Sequence, residues 1–539
     1  MRRLILKLIF SFSLAFIISG GFVVTAHAAS TSTEPDDPGF TTNGANIDKQ
    51  WGLVKANFLK AWEKTLGDKK TVVAVIDTGI DARHKDFNHT HFTTGYNVLT
   101  QRTISRSANS DDNGHGTLIA GVIAASMDNN EGITGAAPDV TLMSVKALSS
   151  DGSGTARNIA DGIKWATDNG ADIINLSLGG IGFAHDTDLA NAITYAYGKN
   201  VVIVAAAGND VAITGGNLDV DPVFPICNDN GKNMVIGVTA TDVNDLKPDF
   251  ANYGKACVDV SAPGKRILST ISHDPASGGV APNSYAYASG TSLAVPLVSA
   301  QAGLLRSLFP EASNRQIRNR IISTADNIDN LNLSQCGGSS CRGLLGAGRI
   351  NAAKSLEKQI AVIDDGDLVQ VAGTLDFYLI NGGKRQRVSP FVKNQRYKNL
   401  DVKEVDLADV ESFSEGSYAE PINGTLVKSP NDPTVYYMQT GLRRPVTANV
   451  FAERKFNFSD IAILTNVEVG SWVQGSFLTP SDGVLIRSEK NPTVYWVVGG
   501  VLHAVNNKYF VDRGLNIFPV TYGLDSDINS FPKGDPYIL

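Results

Sequence analysis

V-V-A-V-I-D-T-G-I-D, residues 72–81, is a run of β-branched and small apolar residues that stops at a carboxylate and a Thr-Gly turn. Val72–Ile76 therefore reads as a buried strand, with Asp77 just past its end. Val140–Ala147, Ile173–Leu178 and Val201–Ala206 are further buried-strand runs. Helical spacing separates them over Leu118–Ala125, Ala156–Thr167 (with Ile159, Ile163 and Trp165 among its apolar positions) and Leu189–Tyr197. Strands alternating with helices across residues 47–360 predict crossover units and a mostly parallel sheet covered on both faces. Sites in such sheets form at the carboxyl ends of strands. Asp77 stands at one such end, and Asn209, in A-A-A-G-N-D, stands at another.

Two other strings complete a constellation. His115 lies in N-G-H-G-T, between two glycines at the start of an apolar helix, and the chain's seven other histidines have no such setting. A base near neutrality is what a serine hydroxyl needs in order to attack. Ser292, in S-G-T-S-L-A-V-P, opens a second helix, where free backbone N–H groups and the positive dipole end face whatever charge develops nearby. Pro296 lies inside that helix against the local rule, as happens at functional sites. Acid, base and nucleophile thus follow the order Asp…His…Ser, one of three unrelated orders of one catalytic geometry. The G-T-S-L-A string also approximates the esterase elbow, but that fold needs Ser…Asp…His. Asn209 offers a side-chain amide as an oxyanion donor beside the N–H of Ser292.

The chain resembles the subtilisin-like serine peptidases from Trp51 to Ser355. The matches are D-T-G-I-D, H-G-T, I-N-L-S-L-G-G ending at Gly180, A-A-G-N, Y-G-K-A-C-V-D-V-S-A-P-G, G-T-S-L-A-V-P and the closing G-A-G-R-I-N-A-A-K. The resemblance implies a three-layer αβα sandwich and endopeptidase cleavage of proteins or peptides through an acyl-enzyme. It implies catalytic roles for Asp77, His115, Ser292 and Asn209. It also makes Gly152, Ser153 and Gly154 one backbone edge and Ser177, Leu178 and Gly179 the other, clamping substrate as an added strand. Ala206, Ala207 and Gly208, with the segment near Val223, would wall an apolar P1 pocket. Asp86, in a pattern like the family's H-P-D-L, together with Asn129, Glu131 and Ile133, is implied to hold a structural Ca²⁺. His84, His89 and His91 are too loosely spaced to favour zinc. The chain departs from the family at Leu118, where a second His is usual, and at Leu293, where Met is usual. The second change removes an oxidisable thioether, so activity is expected to persist in mild peroxide. A folding pro-domain, common among relatives, is not expected between Ala28 and Trp51, so the peptidase folds unaided or with help from the modules.

The ends frame this unit. Arg2, Arg3 and Lys7 precede an apolar run over Leu8–Val24, and Ala26-His27-Ala28 completes a signal-peptide pattern over residues 1–28. The competing reading is a membrane anchor, for which the run is short. Residues 29–46, rich in Ser, Thr, Pro, Asp and Gly, read as a disordered leader. Export permits disulfides. Cys336 and Cys341 flank a flexible G-G-S-S spacer, which leaves Cys227 for Cys257; the alternative is four free, buried thiols. The net charge of −7 gives no nucleic-acid footprint. A secreted protein without a membrane span after cleavage is expected.

From residue 366 the texture becomes repetitive. Gly366, Gly424 and Gly483 are 58 and 59 residues apart, and Tyr378, Tyr436 and Tyr495, then Gly383, Gly441 and Gly500, then Val388, Val446 and Val505, hold the same register. This predicts three β-rich modules, 366–423, 424–482 and 483–539, each with two strands around a Gly turn. Two readings of them compete: binding to a cell surface, glycan or substrate, with Tyr436, Tyr437, Tyr495 and Trp496 as stacking candidates, or packing as spacers or segments trimmed during maturation.

Overall fold

The computed structural model describes residues 34–180, 186–209, 216–228, 233–272 and 283–538. The predicted signal peptide and the first residues of the predicted leader lie outside them.

The strands of the first unit are β1 (Val72–Asp77), β2 (His91–Phe92), β3 (Gly95–Asn97), β4 (Arg102–Ile104), β5 (Thr141–Lys146), β6 (Ile173–Leu176), β7 (Val202–Ala206), β8 (Val235–Thr241), β9 (Val260–Pro263), β10 (Ile267–Ile271) and β11 (Ser284–Ala288). Its helices are α1 (Trp51–Lys55), α2 (Phe58–Trp62), α3 (His115–Ala124), α4 (Ala156–Asp168), α5 (Thr187–Gly198), α6 (Thr291–Leu308), α7 (Asn314–Ser323) and α8 (Ala352–Leu356). One sheet runs in the order β4-β3-β5-β1-β6-β7-β8-β9, with β2 also on β5, and among the described residues its only antiparallel strand pair joins β3 to β4. β10 and β11 form a separate antiparallel hairpin.

Alternation along β1 produces the layers. Val73 and Val75 join the core beneath α3 and α6, with Ile119, Leu297 and Leu304. Ala74 and Ile76 join the opposite core, with Ile159 and Ile163 of α4 and Leu189 and Ile193 of α5. A period of two in a strand buried on both faces gives a three-layer sandwich. Thr155 and Asp186 start α4 and α5 by accepting the N–H of Asn158 and Leu189. The strand β8 is missing from the sequence reading because Gly237 interrupts its apolar run; a Cβ there would meet the Cys257 carbonyl oxygen at 1.8 Å. Cys227 is bonded to Cys257, and Cys336 to Cys341.

The predicted leader needs correction. From Glu34 onward it packs against the sandwich: Phe40 enters the main core, the N–H of Asp36 donates to Asp128 Oδ1 at 3.1 Å, and Asp37 accepts from the N–H of Asp128 at 3.1 Å. A buried ring and satisfied carboxylates offset the ordering entropy that its composition alone would not.

Beyond residue 366 stand three small sheets. In each, three antiparallel strands carry a parallel strand on one edge: Leu368–Val371, Phe377–Asn381 and Lys384–Val388 with Val402–Val405; Leu426–Lys428, Val435–Gln439 and Leu442–Val446 with Ile461–Ile463; Leu485–Ser488, Val494–Val498 and Val501–Val505 with Val520–Gly523; the first two sheets add a short parallel strand on the other edge, Ser414–Glu415 and Val473–Gln474. Each also holds two short helices, which the reading as β-rich did not contain. The first of each pair is capped from one register position: Ser389, Thr447 and Asn506 accept the N–H of Val392, Val450 and Tyr509. The junctions repeat too. Gln395 accepts the N–H of Ile422 and Glu453 that of Ser481, while Arg396 donates to the Glu420 carbonyl and Arg454 to that of Thr479.

The first of these sheets is anchored to the sandwich at Arg320 of α7. Its guanidinium donates to the Lys358 carbonyl at 2.8 Å and the Gln359 carbonyl at 3.2 Å, and stands 3.6 Å from Asp409 and 3.8 Å from Asp406. Asn319 donates to the Ala408 carbonyl at 3.2 Å. Arg320 and Asp409 are 4% and 3% exposed. Arg320→Ala leaves that carboxylate buried without its cation, so a loss of about 3 kcal/mol is expected, read by denaturant unfolding.

Candidate active site

Asp77 closes β1 opposite Lys146 of β5 and is fully buried. Its Oδ1 accepts the N–H of Thr78 at 2.7 Å and meets His115 Nδ1 at 2.8 Å. His115 is the first residue of α3, and Gly114 before it has φ +106°. A Cβ on Gly116 would lie 2.0 Å from the Gly79 carbonyl oxygen, so a glycine is required for strand end and helix start to approach this closely. Burial pulls the imidazole pKa down, but the charge and hydrogen bond of Asp77, with a smaller contribution from the charge of Asp111, outweigh it and hold it above its ordinary value.

Ser292 is the second residue of α6. Gly290 forms the floor between it and Asn209: a Cβ at Gly290 would lie 2.9 Å from Ser292 Oγ and 3.3 Å from Asn209 Nδ2. Asn209 Oδ1 is occupied by the N–H of Thr291 at 3.0 Å and its hydroxyl at 3.2 Å, which leaves Nδ2 toward the Gly290 floor. Among the described residues the Ser292 hydroxyl and the His115 ring make no hydrogen bond with one another. The row is closed from Asp77 to His115 and open from His115 to Ser292, a link that commonly tightens only when substrate is present.

The helix α6 runs through Pro296 unbroken. Proline has no N–H to give the carbonyl four residues back, which is that of Ser292. Ser177 Oγ, just past β6, donates to that carbonyl instead, at 2.8 Å, and itself accepts from Asn175 Nδ2. The predicted strand to Leu178 thus ends at Leu176, and Ser177 leaves the sheet to hold the Ser292 backbone.

The predicted edges lie on either side. Gly152 (φ +80°), Ser153 and Gly154 form a turn in which the Ser149 N–H donates to the Ser153 carbonyl. Leu178 and Gly179 have no backbone hydrogen-bond partner among the described residues, whereas Gly180 exchanges both bonds with Phe224. Ala206 and Ala207 are buried, and the N–H of Gly208 donates to Thr291 Oγ1. Val223 sits between these walls, 2.9 Å from a Cβ placed on Gly179 and 3.7 Å from one on Gly208.

The model of the subtilase family matches residues 68–348. The chain belongs to the subtilase family. A thermophilic serine proteinase of Bacillus sp. (strain AK1) is 41% identical over 268 residues, 50% of this chain and 59% of that protein. Subtilisin DY of Bacillus licheniformis is 40% identical over 276 residues, 51% of this chain and 90% of that protein. A solved protease of Pseudoalteromonas arctica PAMC 21717 superposes with a TM-score of 0.50 at 29% identity, covering 60% of this chain and 99% of that one. As a subtilase, this protein is a serine endopeptidase. The three C-terminal sheets lie beyond the family match.

The subtilase's candidate cation loop is built differently from the expectation. Asp86 is fully buried, and its carboxylate accepts from Asn129 Nδ2 at 3.1 Å and the Ile133 N–H at 2.9 Å. Ile133 faces Asp86 with a donor, its N–H, rather than with an oxygen. Glu131 does not join them; its carboxylate turns outward to Lys85. Asp37, from the segment read as leader, does approach: burial pushes it up to about 6, and burial together with the charge of Asp37 pushes Asp86 up to about 7. Two buried carboxylates held above their ordinary pKa, Asp86 in part by the charge of Asp37 and Asp37 in part by those of Asp128 and Asp36, fit a hard cation. Sequence reasoning missed Asp37 because its partner loop is some ninety residues away.

Ser177→Ala is expected to cost about 1–3 kcal/mol, the desolvation of a carbonyl left unpaired. In Ser177→Ala/Pro296→Ala, where an N–H returns to the helix, the loss should be smaller than the sum of the single changes, as a double-mutant cycle by thermal unfolding will show.

Proposed function

We propose that this subtilase hydrolyses peptide bonds of proteins through an acyl-enzyme on Ser292. His115 takes the hydroxyl proton as Ser292 attacks the scissile carbonyl, and returns it to the leaving amine. Asp77 fixes the ring so that Nδ1–H points to the carboxylate and Nε2 is free to accept. The oxygen of the tetrahedral intermediate is met by Asn209 Nδ2 and the N–H of Ser292. Substrate lies between the Gly152–Gly154 and Ser177–Gly179 edges as an added strand. Its P1 side chain enters the slot of Ala206, Ala207, Gly208 and Val223, which favours apolar groups. The observation that carries the reading is the 2.8 Å bond between Asp77 and His115 at the carboxyl end of the sheet, with Ser292 and Asn209 sharing one glycine floor.

Asp86 and Asp37 would hold a structural Ca²⁺, whose charge removes the repulsion between the two buried carboxylates and pins residues 128–133 to the sandwich, while Asn129, whose Nδ2 donates to Asp86, supports the carboxylate. Secretion after removal of residues 1–28 is consistent with a chain in which no described helix is long and apolar enough to cross a membrane. Residues 47–360 act as the peptidase unit and residues 366–423, 424–482 and 483–539 as three successive modules. The rigid-spacer reading of these is favoured over glycan binding: Tyr436 is buried, and Tyr437 and Tyr495 pack into the module cores.

Casein hydrolysis should vanish in Ser292→Ala and fall about 10²- to 10³-fold in kcat in Asn209→Ala, a magnitude that is the family's own precedent rather than a derivation from this structure. Because the neutral imidazole is the active base and its pKa is raised, kcat/KM should decline with falling pH along a limb centred above the ordinary histidine value of about 6.5. Asp77→Asn should move that limb down. Chelation should lower the thermal midpoint and added Ca²⁺ restore it in wild type but not in Asp86→Ala, measured by calorimetry.

A further inference from the structure

The carboxylate of Asp111 plays no part in the mechanism above, yet it is the most heavily bonded acid near it. It is 3% exposed. Its Oδ1 accepts from the Thr78 hydroxyl at 2.8 Å, the Gly114 N–H at 2.8 Å and the Asn113 N–H at 3.1 Å; its Oδ2 accepts from the Thr117 N–H at 3.0 Å and the Thr117 hydroxyl at 2.5 Å. The same two threonines continue the web. Thr78 Oγ1 accepts the Gly116 N–H at 2.9 Å, and Thr117 Oγ1 accepts the Asp81 N–H at 3.0 Å. These bonds all end on residues beside Asp77 or in the first turn around His115. Five donors and no acceptor face this group, so only the ionised carboxylate satisfies them; an amide would turn an N–H against the donors of Thr117.

We propose that Asp111 is a positioning residue for the catalytic pair: it clamps the strand end that carries Asp77 to the helix start that carries His115, and its fixed negative charge stabilises the imidazolium formed during attack. This rests on His115 being the base. Among the described residues, the other charged groups around His115 are Asp77 from β1 and the Lys146–Asp112 ion pair beside Thr78, while Ile271 of β10 presents only apolar atoms to Gly114. The charge of Asp111 acts on the ring in the same direction as that of Asp77.

The test is Asp111→Asn in the full chain. Steady-state kinetics on a soluble peptide across pH, normalised by active-site titration, should show kcat lower by about 10- to 100-fold with KM unchanged, the cost of a misplaced base. The acid limb of kcat/KM should move down, and so should the His115 pKa followed by NMR in the Ser292→Ala background. A residue needed only for folding would reduce the titratable fraction and move neither limb nor pKa. An unchanged kcat per active site, or a limb that stays in place, overturns the proposal. If Asp111→Asn does not fold, Thr117→Val keeps the charge and removes the two bonds of the Thr117 hydroxyl, to Asp111 and from the Asp81 N–H; it should lower kcat with the limb in place, and an unchanged kcat again overturns the clamp. Activity surviving Ser292→Ala would instead refute the triad itself, so the two failures are distinguishable.

Discussion

One contact sets the rest: the carboxylate at the end of β1 and the imidazole at the start of α3 must touch although thirty-eight positions separate them. That requires a helix N-terminus to press on a strand's carboxyl end with no side chain between them. Gly116 and Gly79 meet the requirement, and the fixed φ of Gly114 turns the chain into the helix. Parallel strands then bring the other parts to the same rim. Ser177 follows β6, Asn209 follows β7, and α6 begins above them with Ser292. A sheet whose carboxyl ends all face one way builds a site from segments far apart in sequence without any long loop.

The helix that carries Ser292 shows how a local defect is absorbed. Pro296 takes one hydrogen bond out of α6 at the turn that carries Ser292, and Ser177 supplies the missing donor from the neighbouring strand end. The residue that leaves the sheet early to do this also opens the edge at Leu178 and Gly179. The placement of the Ser292 backbone and the open edge proposed to take substrate are therefore fixed by one short departure from β6.

Asp77, His115, Ser292 and Asn209 were legible because each belongs to a short string whose backbone geometry is itself unusual: a strand stop, glycines around a histidine, a helix opening on serine. Parallel strands and covering helices were legible from their periods. β8 and β9 were not, since Gly237 and Pro263 interrupt the patterns that would mark them. Asp37 and Asp111 escaped for a different reason. Their partners are mostly backbone N–H groups and distant hydroxyls, which leave no trace in residue identity. The modules' helices, five to seven residues long, are shorter than two helical turns and cannot declare a period.

The anchor of the C-terminal array has a geometric consequence. α6 carries Ser292 at its first turn and ends with Ser307 bonded to Thr71, at the amino end of β1, while α7 begins with Asn314 bonded to the carbonyl of Val201, at the amino end of β7. Arg320 lies on that helix, so the array is rooted behind the sheet, on the side away from the cleft. The root of the array therefore stands at the opposite end of the strands from Asp77 and His115, and a load carried by the tail is transmitted first to α7 and the amino ends of the sheet.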